Sequence, residues 1–377
     1  MRTHQEVYVV MAFFPNYYDS SDIFRPKTVS TAADRYKVVI PPLQVRIGTI
    51  SLESYSNIEM DCSNAAHWDT DDPTDYTVAA DRAGKDFYLY AVAPTIGKTP
   101  KILLSANATY PDGYTADNSR KVGGFHCLCV NVGTISGHTL TNYLAGDILP
   151  ASVWCLKHRA INHNNAGMAY DDDTQNWYMI YLASLSGSTA ISAYGGTISD
   201  TVTWFNTVDY CANGGTRLLS DDEFSACANG SPEGTNITGS ADPVTTGGHV
   251  DTAGRRIISN IGCEDCTGVM WHWLDEQSYR FDAAAAHTHS LTASGDPETI
   301  NTGTASADVA PAFSYKAQTG GKGSLYTQGT YGTTKLIAGG FWPNGATCGS
   351  RSRRADGFPW LADSTIGFRA ACKGIKK

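Results

Sequence analysis

The chain has no apolar run long enough to span a bilayer as a helix, so no membrane insertion is expected. Charge is sparse, at 17% of residues, and its balance is acidic, with a formal net charge of -9. Without a basic face, nucleic acid and anionic membranes are poor partners, because both draw their affinity from lysine and arginine. The signatures of common chemistries are missing too: no G-x-S-x-G element, phosphate loop, H-E-x-x-H or carboxylate pair stands out. Cys263 and Cys266 form a C-x-x-C, but no second pair stands at zinc-finger spacing and no βαβ pattern surrounds it, which argues against zinc or redox chemistry. The ten cysteines are scattered through a chain large enough to fold without staples, so reduced thiols are the default. The opening M-R-T-H-Q-E-V-Y-V-V-M-A-F-F-P is a poor signal peptide, with one arginine and a short apolar run broken by Pro15, and reads as a first strand.

What is present is glycine, tyrosine and short alternating runs. A length of 377 residues with 37 Gly and 20 Tyr describes a loop-rich, β-leaning protein of two domains. Residues 1–147 show strand patterns in Y-K-V-V-I at Tyr36 to Ile40, V-R-I-G-T-I-S-L from Val45, F-Y-L-Y-A-V-A from Phe87 and K-I-L-L-S-A from Lys101. Turn clusters separate these runs, which predicts a β-rich, sandwich-like domain. The acidic run Asp69 to Asp75 reads as a solvated turn.

Residues 148–377 mix strands with two short helices, an α+β pattern. A strand pair is expected across the polar turn Asp171 to Asn176. Trp204, Val208 and Cys211 fall at helical spacing, with Asn213-Gly214 as a stop. Ser220 and Glu223 make a capping box, and Leu219 and Phe224 a hydrophobic staple, ahead of a second helix that ends at Asn229-Gly230. In Ser259 to Glu276, Val269, Trp271 and Trp273 would share one face of a strand, with Met270 and His272 on the other as structural side chains. A polar insertion is expected over about residues 282–323, and His287 and His289 within it read as exposed loop.

The last stretch, about residues 338–372, holds two kinds of residue. One has backbone or packing work: Gly339, Gly340, Trp342, Gly345, Gly349, Trp360 and Arg369, with Arg351 and Arg353 also holding the loop's shape. The other follows no period: Phe341, Pro343, Asn344, Thr347, Cys348, Arg354, Asp356, Gly357, Phe358, Leu361, Asp363 and Thr365. Such a mixture suits an exposed recognition surface on a rigid frame. It equally suits an irregular loop followed by one buried strand, I-G-F-R-A-A-C.

The run G-G-x-W-x-x-G-x-x-x-G-S-R-S-R and the ending P-W-x-A-x-S-x-I-G-F-R resemble the C-terminal variable region of proteins diversified by retroelements. That family comprises C-type-lectin-like ligand binders, some of them receptor-binding proteins of phage tail fibres. The resemblance implies a C-type-lectin-like fold of the formylglycine-generating-enzyme type, preceded by a display or attachment domain. Arg217-Leu218 before Glu223, and Gly268, Trp271 and Trp273, stand where that fold's helix and core strand have comparable residues. It also implies binding without catalysis, a protein or glycan ligand on a target cell surface, and placement on a virion or cell exterior. The variable positions would be the non-periodic set, with Phe341 and Phe358 as anchors and Leu361 as apolar support. Arg354, Asp356 and Asp363 would add polar specificity.

Some members of the lectin-like superfamily bind calcium, and Asn260, Glu264 and Asp265 are the candidate oxygen ligands. No other cofactor is expected. An oligomer, such as a trimer, would turn weak contacts into avidity. Two rivals remain: an oxidoreductase like the formylglycine-generating enzyme, and a fixed structural virion or surface protein. The enzyme needs a cysteine pair where this chain has Asn344 and Gly349, and Cys348 stands one residue from the second place with no partner in the loop.

Overall fold

The computed structural model describes residues 18–19, 23–27, 31–69, 73–280, 287–291, 323–327 and 332–375. The expected strand at the chain's opening and part of the acidic run after Asp69 lie outside these residues.

The N-terminal half is built of small antiparallel sheets. Lys37–Ile40 lies between Arg25–Pro26 and Ile58–Asp61. Leu43–Ile47 lies between Tyr18–Asp19 and Ile50–Ser54. The run from Val45, expected as one alternating strand, is therefore a hairpin: Ile47 pairs with Ile50 across a turn at Gly48, whose φ of 55° suits glycine.

A third sheet runs Trp154–Cys155, Ser119–His126, Asp86–Val92, Lys101–Ser105. It includes residues beyond 147, so N-terminal strand pairing continues past the boundary drawn from sequence. Its central strand is buried on both faces. Phe87, Leu89 and Ala91 enter the N-terminal core with Val38, Val45 and Val122. Tyr88, Tyr90 and Val92 enter a second core with Trp177, Trp273 and Phe368 from the C-terminal half. Period two thus reports strand here, and both faces are apolar because both are covered.

In the C-terminal half, Met168–Asp171 pairs with Asn176–Met179 across the expected polar turn. The helices are Trp204–Asn213 and Asp221–Cys227. Ser220 Oγ accepts from Glu223 N at 3.3 Å and the Glu223 carboxylate accepts from Ser220 N at 2.9 Å, so the capping box forms. Leu219 and Phe224 are both buried in the same cluster.

The six-stranded sheet that carries the C-terminal stretch runs His287–Leu291, Gly323–Thr327, Arg353–Gly357, Gly332–Ala338, Trp271–Arg280, Ile366–Phe368. His287 and His289 therefore lie on a strand rather than in a loop, because the segment pairs antiparallel with Gly323–Thr327. The rest of the polar insertion lies outside the described residues.

The ending I-G-F-R-A-A-C is two strands, not one. Ile366–Phe368 runs parallel to Trp271–Trp273, and Ala370–Lys373 joins Asn176–Tyr178 and Arg217–Leu218 in a different sheet. The break falls at Arg369, whose buried guanidinium donates to the carbonyls of Met179, Ile180 and Glu264. A buried cation held by three carbonyls fixes the point where the chain changes sheet.

Candidate binding surface

The strand Gly332–Ala338 delivers the chain to Gly339 and Gly340, with φ of 98° and 83°. A Cβ on Gly339 would lie 2.5 Å from the Cys266 carbonyl oxygen, and one on Gly340 would lie 2.8 Å from Cys348 Sγ. Glycine is required at both by conformation and by space. The loop then turns through Asn344, whose side-chain oxygen accepts from Phe341 N at 3.1 Å, and Gly345, with φ of 56°. Arg353 anchors its return: its Nε donates to Asp221, its Nη2 to Ser225 Oγ at 2.9 Å, and its guanidinium carbon lies 4.9 Å from the Phe224 ring centroid. Arg351 and Arg353 are both fully buried.

On this frame the chain presents two phenylalanines among smaller and polar side chains. Phe341 is half-buried, 6.3 Å from Trp271 and 5.0 Å from Trp342 between ring centroids. Arg354 is half-buried, with its guanidinium carbon 5.9 Å from the Trp271 ring. Pro343 and Thr347 are exposed, while Phe358, Leu361, Asp363 and Thr365 are half-buried. Asp356 lies in the strand Arg353–Gly357, and its side chain is not among those described.

Several positions depart from expectation. Cys348 and Gly357, assigned to the presented set, are buried. Cys348 Sγ points at the Phe341 carbonyl at 3.5 Å, and burial pushes its thiol up to about 12. A Cβ on Gly357 would lie 2.9 Å from the Trp273 ring. Trp342, assigned to the frame for its packing, is only half-buried against Ile237, Val269 and Met270. Trp360, also assigned to the frame, is 63% exposed and stacks on Phe358 with centroids 5.2 Å apart and planes 12° apart.

Asn344 and Asp363 spend their side chains on turns. Asp363 accepts from Thr365 N at 2.8 Å and Thr365 Oγ1 at 2.6 Å. A residue missed from sequence is Phe205, 53% exposed on the first turn of the helix Trp204–Asn213. Its signal was present: it is a large aromatic lying off the Trp204, Val208, Cys211 stripe.

The calcium candidates are committed to protein partners. Glu264 meets Arg256 at 2.6 Å and Asp265 meets His249 at 2.9 Å, while Asn260 accepts from Thr139 N at 3.3 Å. Carboxylates already matched to cations do not fit a calcium cage. Among the described residues no group of three or more His, Cys, Asp or Glu has the geometry to hold a metal ion.

His272 is buried, with Nε2 3.1 Å from the Asp265 carbonyl, and burial lowers its basicity to about 3, which suits a structural rather than a catalytic side chain. Cys263 and Cys266 are buried, and Cys266 Sγ lies 3.8 Å from Cys227 Sγ. No helix among the described residues is long and apolar enough to cross a membrane.

Residues 46–155 match the family model described as the Mtd second domain. The chain is 26% identical over 323 residues to the tail fiber receptor-binding protein of Bordetella phage BPP-1, covering 79% of this chain and 74% of that protein. Among solved structures, the major tropism determinant I1 variant aligns with a TM-score of 0.65 at 21% identity, covering 95% of this chain and 86% of that one. The P3c variant aligns equally well, with a TM-score of 0.65. The resemblance to phage tropism determinants and the C-type-lectin-like fold that it implied are thereby borne out, in a chain that is mostly β with few helices.

Proposed function

We propose that this protein is a non-enzymatic receptor-binding protein of a phage-like particle. Its Phe341–Thr365 face would contact a target-cell surface molecule, and its N-terminal half would attach or display that face. The observation that carries this reading is the arrangement of the C-terminal stretch. Buried Arg353 and Arg369 hold backbone carbonyls and Arg351 is buried beside Arg353 in the chain, while Phe341, Pro343, Thr347, Arg354, Phe358 and Leu361 are left partly or fully open on one segment. Support comes from the similarity to a tail fiber receptor-binding protein over most of the chain.

The oxidoreductase reading is weakened by the same geometry. The one cysteine of the loop is buried, its thiol is pushed up, and the chain offers no partner in the loop.

Sequencing the 3′ end of the gene across many individuals of its source population tests the proposal. Substitutions concentrated at the open positions, beside an imperfect repeat elsewhere in the genome, are the expected result. Absent variation, or variation spread evenly over open and buried positions, would overturn the diversified surface and leave a fixed lectin-like or structural role.

A further inference from the structure

Three cysteines meet inside the C-terminal half. Cys227, Cys263 and Cys266 are fully buried in one core cluster, and the Cys227 and Cys266 sulfurs lie 3.8 Å apart. Cys266 Sγ also lies 3.7 Å from the Cys263 carbonyl oxygen. The C-x-x-C of the sequence therefore sits against a third thiol, and the close sulfur pair joins Cys266 to a residue 39 positions before it. These two sulfurs need approach by less than about 2 Å to reach bonding distance.

The pair is chemically unequal. Burial and the Asp265 charge oppose a thiolate at Cys266, but the Cys227 thiol, the Arg369 guanidinium and Ser231 outweigh them and hold it below its ordinary value. Burial and the two neighbouring thiols push Cys227 well above its ordinary value. Cys266 is thus the nucleophile of the pair and Cys227 the thiol that resolves it. A way in lies next to Cys266. Gly230, Ser231, Pro232, Glu233 and Arg255 line a cleft of about 310 Å³. Ser231 is 3% exposed, and its Oγ makes no conventional hydrogen bond and sits against the Cys266 thiol. Hydrogen peroxide, little larger than water, needs only this small side chain to shift.

We propose that Cys227 and Cys266 form a latent disulfide, closed by hydrogen peroxide, that locks the frame of the C-terminal loop. The Cys266 thiolate attacks one peroxide oxygen, the O–O bond breaks, and the departing hydroxide takes the Cys266 proton as water, leaving a sulfenic acid. The Cys227 sulfur then attacks the Cys266 sulfur. The S–S bond forms, the S–O bond breaks, and hydroxide leaves with the Cys227 proton as a second water. Two thiols lose two electrons and one peroxide is reduced to two waters. The bond joins two supports of the loop. Cys227 ends the helix whose Asp221 and Ser225 hold Arg353. Cys266 backs the turn at Gly339, where its carbonyl oxygen leaves no room for a Cβ. Closing so long a loop also restricts the unfolded chain.

The test uses the full chain, fully reduced, freed of reductant and treated with a small molar excess of hydrogen peroxide. Thiols titrated after denaturation should fall by two from ten. Peptide mapping should place the bond between Cys227 and Cys266, and dithiothreitol should restore all ten thiols. The oxidised form should melt at least about 3 °C above the reduced form. In Cys227→Ala and Cys227→Ser the cross-link and the rise should vanish, and dimedone, which traps sulfenic acid, should label Cys266. Cys263→Ala should cross-link as the wild type does. Ten thiols surviving peroxide, or a bond from Cys263 to either neighbour, would overturn the assignment. A Cys227–Cys266 bond that leaves the melting temperature unchanged or lowered would overturn the lock.

Discussion

Arg369 Nη1 donates to the Ile180 carbonyl at 2.7 Å, tying the residue at which the chain leaves one sheet to a strand end in another. The same guanidinium also holds the carbonyls of Met179 and Glu264. Arg369→Met should cost about 3–5 kcal/mol, because three buried acceptors lose their donor. Arg369→Lys should recover little of this, since a single ammonium lacks the planar fork. Urea unfolding of both variants checks the claim, and a Lys variant as stable as wild type would contradict it.

Gly340 and Gly357 differ in a testable way. Gly340→Ala adds a methyl against Cys348 at positive φ, whereas Gly357→Ala adds one against the Trp273 ring at a position within a strand. Both should destabilise by about 1–3 kcal/mol, with Gly340→Ala the worse. A neutral Gly357→Ala in a thermal melt would return that position to the presented set.

The pair His249–Asp265 predicts a pH dependence. Burial opposes the charged imidazole, but Asp265 outweighs it and raises His249 above its ordinary value. Burial likewise opposes the Asp265 carboxylate, but His249 and the Gly247 N–H hold it below its ordinary value. The His249 contribution is complete below about pH 6.5 and fades as pH rises through its raised value. The Asp265 contribution is complete above about pH 4 and fades as pH falls through its lowered value. The stability difference between wild type and His249→Gln should therefore be widest between about pH 4 and 6.5, at about 1–3 kcal/mol. A difference that grows steadily toward alkaline pH would refute the pairing.

All ten cysteines are buried and unpaired by disulfides. A thiol-specific chromogenic reagent should find almost none in the native protein and all ten after denaturation. Rapid reaction at Cys348 would revive the oxidoreductase reading.

Trp342→Ala should cost about 1–3 kcal/mol, less than a fully buried tryptophan would, because its ring is only half covered. Phe341→Ala should reduce binding with a smaller loss of melting temperature. Equal stability losses in the two would dissolve the distinction between frame and surface here.

Elements governed by local chemistry were legible in the sequence. The Ser220–Glu223 box, the Asp171–Asn176 turn and the glycine pair before Phe341 each follow from a few adjacent residues. What escaped was set by distant partners. The break at Arg369 depends on carbonyls of residues 179, 180 and 264, which no local pattern encodes. Trp360 looked like frame because tryptophan usually buries, yet the segment is held down at Pro359 by Trp204 and leaves the next ring in water. Cys348 looked open because its neighbours are polar, yet the close approach of Gly340 brings it inside. On the binding face, burial varies from one residue to the next with no period, so a period-based reading separates the two kinds of residue only in part.

The strand Asp86–Val92, with alternate side chains in two cores, has a mechanical consequence. Gly167 N and His126 Nδ1 both meet Asp86, and His126 Nε2 meets Tyr181 at 2.9 Å, so the two halves are cross-laced rather than tethered. Unfolding either half would strip one face of this shared strand, so the two halves should melt as one cooperative unit.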